Sequence, residues 1–346
     1  MKTEETIWIV PEYYPDFKCK ADRCRHTCCN GWRIPISFRE YTRLIGMPCR
    51  RRLRERIDVA FCQPPEVSEE RYALISHDWM GNCHLLENGL CMLYTEDRLD
   101  YLPRICDLYP RSLRQIGDQQ LACCSSACEK VVEMLMEADS LNMKKVSLAS
   151  EPVIRMDAGA VSLKLVMKFQ QMLKDRSLPL AQRIRNICLQ VNEEQFTADY
   201  HNSADPLHLV IDILNRLTER QSYLYEIVEL LAERYETSPQ LYEQDREAFE
   251  SRFPDWMAIF ENVINNSMLY ESFPFVDDRF DDTEAYRGLC ATYGLMRVVC
   301  IGYSVSHPER SDLVDAIAAL FHLIEHTPFY YNSNVIVRNG AVLLKL

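Results

Sequence analysis

Twelve of the fifteen cysteines fall within the first 128 residues of this 346-residue chain. No other feature limits the fold as strongly. The thiols come in four groups: Cys19, Cys24, Cys28 and Cys29; then Cys83 and Cys91; then Cys106; then Cys123, Cys124 and Cys128. Thiolates are soft ligands that suit zinc or an iron–sulfur cluster. Zinc takes four ligands in a tetrahedron, and a [4Fe–4S] cluster also takes four. Two thiols a few residues apart can come from one loop, and a distant loop then closes the site. Such a site would also fold a segment that lacks apolar periodicity of its own.

The redox setting supports metal over disulfide. The opening MKTEETIWIVPEYYPDF carries acids early, without the apolar core and small-residue cleavage site of a signal peptide. No stretch reaches the ~18 continuous apolar residues of a membrane span. The expected compartment is therefore the cytoplasm, where thiols stay reduced. Cys49, Cys62, Cys188, Cys290 and Cys300 stand alone and read as ordinary buried thiols. Cys124 and Cys128 have the same bland alternative, Cys128 as the start of a helix. His26 and His84 lie inside the groups as further ligand candidates.

Charge and motif absences remove several function classes. The net charge is −12, which argues against a general nucleic-acid binder. Residues 1–60 carry a net +5 and the remainder −17, so the body favours basic partners such as a lysine-bearing protein surface. Only 10 residues are glycine, against glycine-rich phosphate loops. No C-x3-C-x2-C, acidic-G-x-G-x-G, P-loop or G-x-S-x-G motif occurs.

The remainder reads as helix after helix. From Asp205 to Tyr235, apolar residues recur at three-and-four spacing behind an Asp205 cap and Pro206. After Ser306, a capping box with Glu309 opens another helix. Further helices are expected near 129–146, 158–175, 179–196, 239–250, 254–271 and 283–303, with an acidic loop at 277–282. At the C-terminus, Val335-Ile336-Val337-Arg338, Asn339-Gly340 and Ala341-Val342-Leu343-Leu344 predict a β-hairpin. Ile7-Trp8-Ile9-Val10 is a candidate third strand beside it. The expected fold is mainly α. An irregular cysteine-rich metal-binding N-terminal region (1–128) packs on an α-helical domain (129–346) that ends in a short β-hairpin.

The run Pro11-Glu12-Tyr13-Tyr14, Phe17, Cys19, Cys24, Cys28-Cys29, Gly31-Trp32 and Ile34 resembles the opening of the flagellin lysine-N-methylase family. The later pieces follow in the same order: Cys83, Leu85, Gly89 and Cys91; Cys106, Tyr109-Pro110-Arg111; Leu121 and Cys123. A wider group of small cysteine-rich zinc- or iron-chelating proteins shares a similar pattern. The motifs cover residues 11–128, and Cys124-Ser125-Ser126 departs from the family's proline-and-acid step. The resemblance implies methyl transfer from S-adenosylmethionine to lysines of flagellin or another lysine-bearing protein, with an iron–sulfur cluster or zinc held by the cysteines. It carries Cys19, Cys24, Cys28, Cys29, Cys83, Cys91, Cys106 and Cys123 over as ligand candidates. Neither nucleic acid nor membrane is an expected partner.

Lysine titrates near ~10.4, so a methylating site must strip a proton by desolvation or a nearby base. Aromatic faces attract sulfonium and ammonium ions, which makes Tyr13, Tyr14, Trp32 and Tyr109 candidates for cofactor binding, with packing around the metal as the alternative. Glu12 and Asp16 are candidates to polarise the amine. Arg104 and Arg111 flank Cys106, either to grip a donor carboxylate or to offset thiolate charge. The run Arg50-Arg51-Arg52-x-Arg54-x-Arg56 reads as a solvated helix face. Catalytic residues are not legible at this level. A non-catalytic zinc or cluster module bracing a helical adaptor, and an electron carrier, are the competing readings.

Overall fold

The computed structural model describes residues 5–149, 154–156, 163–220, 222–274 and 281–346. The chain forms two compact units. One comprises Met1–Phe17, Pro110–Thr218 and Leu224–Leu346; the other comprises Lys18–Tyr109 and Glu219–Tyr223. Their composition differs from a single cut near 128, because the first strand and residues 110–128 belong with the helices.

The larger unit is built on a five-stranded sheet that the sequence does not announce. Its order is Ile154–Met156, Arg111–Ile116, Gln119–Cys124, Glu5–Pro11 and Met143–Ala149. The second and third strands form a hairpin with Leu113 opposite Ala122. Glu5–Pro11 runs parallel to Gln119–Cys124 and antiparallel to Met143–Ala149. Ile7–Val10 is thus a strand, with these partners in place of a C-terminal hairpin. The helix expected over 129–146 stops at Glu137, where Ala138 turns extended, and the rest of that stretch feeds the sheet.

Helix Asp282–Tyr303 is the axis of this unit's core. From Ala285 to Tyr303 all its residues except Arg287 are buried. Around it pack Leu180–Val191, Pro206–Leu217, Leu241–Arg252, Arg310–His326 and Phe329–Ile336. Gly288 permits this closeness, since a Cβ there would stand 2.0 Å from Cδ1 of Tyr330. The Asp205 cap forms as expected, its carboxylate accepting from the N–H groups of Leu207 and His208. That helix ends at Leu217, however, and a second one, Tyr223–Thr237, carries the rest of the stripe. Helix Arg310–His326 is capped by Glu309 with Asp312, one turn later than the expected Ser306–Glu309 box.

The C-terminal β-hairpin does not form. Val335-Ile336 close helix Phe329–Ile336, and 340–345 make a 3-10 turn. Asn339 has φ −117°, not the positive value that a two-residue hairpin turn needs. Ala341 to Leu344 are all buried, so the run serves as core filling. Of the acidic loop at 277–282, residues 277–280 lie outside the described residues, while Asp281 and Asp282 open a helix. Likewise 158–162 lie outside them, and the helix there is described from Leu163. Among the described residues, no helix is long and apolar enough to cross a membrane.

The smaller unit has its own apolar core, in which Ile34, Ile36, Leu44, Leu53, Ile57 and Leu93 are almost fully enclosed. Short strands Pro35–Ile36, Ala73–Ile75 and Phe61–Cys62 form a small sheet. Helices Phe38–Ile45 and Arg51–Ile57 complete it. This region is therefore better packed than an irregular metal-dependent loop.

Candidate functional site

Four segments bring thiols together in the smaller unit. The first is the loop through Cys28 and Cys29. Its next residues pair with the loop before Cys83: Asn30 bridges Asn82, Gly31 N–H donates to Gly81 O at 3.0 Å, and Cys83 N–H donates to Cys29 O at 2.8 Å. Asp78 holds that second loop by accepting from the N–H groups of Met80 and Asn82, both at 2.9 Å. The third segment is a hairpin, Leu86–Glu87 with Leu90–Cys91, turned at Asn88-Gly89 with φ +50° and +79°. Positive φ at both positions is what the Asn-Gly pair supplies. This is the chain's Asn-Gly hairpin, and it presents Cys91. The fourth is helix Arg104–Leu108, carrying Cys106. Its first N–H donates to Glu40 Oε1 at 2.7 Å, while Glu40 also completes the Ser37 capping box.

The thiols sense one another. Cys29 is lowered to about 7, first by the hydrogen bond from Cys28, against burial and with help from Thr27. Burial pushes Cys83 up to about 12 and Cys91 up to about 11, and the Cys29 charge adds to both. Burial raises Cys106 well above the usual range, with Cys29, Cys83 and Cys91 contributing. One thiolate forms readily here, and each further one is opposed by its neighbours. A bound cation would lift that opposition. The donor chemistry therefore suits a soft metal centre. The placement is looser than a ligand sphere: among the described residues, no group of three or more His, Cys, Asp or Glu could hold a metal ion.

The other candidates fall as follows. Cys19 is exposed, its sulfur accepting from Ala21 N–H at 3.3 Å. Cys24 follows the turn Ala21–Arg23, whose Asp22 lies 3.9 Å from where a Cβ on Gly89 would stand. The tip of the Cys91 hairpin thus abuts the first cysteine loop. Cys123 belongs to the larger unit, on strand Gln119–Cys124, with Arg114, Glu325 and Glu271 as charged neighbours. Trp32 donates to Cys28 O at 2.7 Å and lies 5.6 Å from the Tyr109 ring, so both pack beside the thiols. Tyr13 and Tyr14 are buried in the larger unit. Tyr13 donates to Asn266 Oδ1 at 2.6 Å, and Arg111 lies over the rings of Phe17 and Tyr14. Glu12 meets Asn142, Asp16 is exposed in a 3-10 turn, and His26 stacks on Tyr223. Cys62 is exposed rather than buried, and Cys188 and Cys290 form a pair with sulfurs 3.7 Å apart. The basic run is only partly solvated: Arg51 bridges Glu55 at the surface, Arg52 meets Glu87, and Arg54 donates to the carbonyls of Ile45 and Met47 at and just past the end of the preceding helix.

A second constellation, in the larger unit, escaped the sequence reading. Glu325 is 8% exposed; its Oε2 accepts from the Ser125 hydroxyl at 2.6 Å and from Ser126 N–H at 2.8 Å. The Ser267 hydroxyl lies beside this carboxyl and hydrogen-bonds it as well. Asn266 ties this floor together through Cys124 O, Ser126 Oγ and Tyr13. Burial, with Glu271 nearby, pushes Glu325 up to about 8. Burial pushes Glu271 up to about 7, against the pull of Arg114. His322 and His326 are pushed down to about 4 and about 3 by burial, so both are neutral imidazoles. The sequence carried only a partial signal. Asn262, Asn265 and Asn266 recur at three-and-four spacing on a buried helix, and Glu325 lies four residues after Phe321 on an apolar face.

One pH effect follows. The folded chain keeps a proton on Glu325 from about pH 4.5 up to about 8, where the unfolded chain has released it. More protons bound to the folded state means that stability falls as pH rises across this window. Denaturant titrations at both ends of the window are expected to show a smaller decline for Glu325→Gln than for the wild type.

A family model described as the FliB lysine N-methylase C-terminal domain matches residues 159–335, just over half of the chain. The matched segment contains Glu271, His322, Glu325, His326 and Tyr330, and its class is lysine N-methylase. The chain belongs to the FliB lysine N-methylase family. Neither the curated proteins nor the solved structures give a match.

Proposed function

We propose that the protein is an S-adenosylmethionine-dependent lysine N-methyltransferase that acts on flagellin in the cytoplasm, with a [4Fe–4S] cluster held at the thiol centre. The family match over 159–335 carries the methylase part of this reading. The convergence of Cys29, Cys83, Cys91 and Cys106 from four segments supports the cluster. These four would be the ligands; Cys19, Cys24, Cys28 and Cys123 rest on the resemblance alone. When bound, the cluster would supply the positive charge that lets neighbouring thiols ionise together. Its uptake would draw the loops closer and release protons. The net charge of −12 favours a lysine-bearing partner over nucleic acid.

The reaction needs a neutral amine from a group that titrates near ~10.4. Enclosed surroundings favour that deprotonation, and a carboxylate can take up the proton as a general base. The test is transfer of a labelled methyl group from S-adenosylmethionine to flagellin by the anaerobically purified full chain. Label on flagellin lysines is expected. A colourless zinc protein that transfers no label would favour the adaptor module instead.

A further inference from the structure

We propose that the carboxyl groups of Glu325 and Glu271 form the site that receives the ammonium group of the acceptor lysine and takes its proton before methylation. The proposal rests on the lysine-methylase reading and assigns the residues that reading leaves open.

The geometry carries it. Glu325 comes from helix Arg310–His326 and Glu271 from the end of helix Trp256–Glu271. Tyr270 and Tyr330 both lie close enough to feel the two carboxyls, and the Tyr270 ring meets that of His326 at 6.4 Å. Thr292 hydrogen-bonds Tyr330 from the central helix. The floor is buried: Glu325, Ser267 and Tyr330 are each at least nine-tenths enclosed. The rim, made by Arg114, Tyr270, Glu271, His322 and His326, is partly exposed.

The ligand follows from the chemistry. Ser125, Ser126 and Ser267 all hydrogen-bond the Glu325 carboxyl and fix its orientation. An ionised carboxylate keeps further lone pairs beyond these bonds, which a ligand bringing N–H donors would use. Glu271 couples to Glu325 on one side and to the Arg114 guanidinium on the other, and Arg114 lies over the Tyr270 ring at 5.3 Å and donates to Ser272. With both carboxyls ionised the site is one positive charge short, so a monocation fits and an anion does not. The aromatic rings add faces that attract ammonium, including its methylated forms.

The proton has a place to go. From its own helix Glu325 is faced by neutral His322 and His326. From the other elements it is faced by Glu271, Tyr270, Tyr330, Tyr13, Cys123 and Cys124. Burial keeps both carboxyls near neutrality, where they exchange protons readily. The lysine ammonium gives one N–H proton to a carboxylate and becomes an amine with a lone pair. That pair forms an N–C bond to the methyl group of a sulfonium donor. The C–S bond breaks, its electrons stay on sulfur as a thioether, and the new methylammonium carries the charge.

The experiment uses the full chain and the probe Nα-acetyl-lysine N-methylamide, with its uncharged norleucine counterpart as control. Calorimetry is expected to show binding of the lysine probe alone. Glu325→Gln and Glu271→Gln should weaken it at least ~10-fold while circular dichroism stays unchanged. In methyl transfer both should lose roughly 100-fold or more in kcat/KM and flatten its pH profile near neutrality, as loss of a general base does. The surface variant Glu247→Gln should behave as wild type. Equal binding and turnover by both site variants, or equal binding of norleucine, would overturn the assignment. If the wild type transfers no methyl, the functional reading fails, and probe binding still decides the site.

Discussion

Replacing Cys29, Cys83, Cys91 or Cys106 singly with serine is expected to lower the metal content of the anaerobically purified chain at least ~10-fold, the scale on which lost metal-site contacts act. Serine keeps the size and removes the soft anion. Cys29 is the thiol nearest to ionising, because Cys28 and Thr27 donate to its sulfur. Its loss removes the first anchor for a cation. Cys83 sits against the apolar core at 6% exposure and takes an N–H bond from Leu85 at its sulfur. Cys49→Ser and Cys62→Ser serve as controls, since the electrostatic neighbours of the four thiols include neither. Metal content per folded chain, with circular dichroism to verify folding, reads the effect. Equal loss in the controls would point to general destabilisation.

The second large effect is on stability. Glu261 is buried and pairs with two guanidinium groups: Arg183 at 2.5 Å, itself 3% exposed, and Arg176 at 2.9 Å, about half exposed. Arg183 also donates to the carbonyls of Leu173 and Leu178, which ties helix Leu163–Leu173 to helix Leu180–Val191. Glu261→Gln would keep the shape and leave Arg183 charged, enclosed and without its carboxylate. Breaking a buried pair from one side costs about 3–5 kcal/mol. For a unit of this size that corresponds to a fall in melting temperature of roughly 6–20 °C. Glu243→Gln, where the pair with Arg246 is at the surface, should change stability by no more than about 1 kcal/mol. Thermal unfolding of the two variants side by side checks the contrast.

What the residues disclosed in advance depended on how local the deciding interaction was. Helix Pro206–Leu217 was legible because its cap, its proline and its apolar stripe lie within one short window. The Asn-Gly signal was sound in kind and mistaken in place. At Asn88-Gly89 the flanks pair as strands, while at Asn339-Gly340 a helix precedes and core filling follows. A short apolar run cannot separate those outcomes. The five-stranded sheet was hidden because Glu5–Pro11 finds its partners more than a hundred residues away. The thiol centre was legible as a set of cysteines, but the pairing of Asn30 with Asn82 that brings two loops together was not. The carboxylate pair was missed because a lone glutamate on a helix usually faces water, and only packing reveals that Glu325 does not.

Iron and acid-labile sulfide in the anaerobically purified wild-type chain test the central claim most directly. A cluster at the thiol centre predicts about four irons per chain, with matching sulfide and a brown protein. An iron-free, colourless chain that nonetheless methylates lysine at full rate would contradict it.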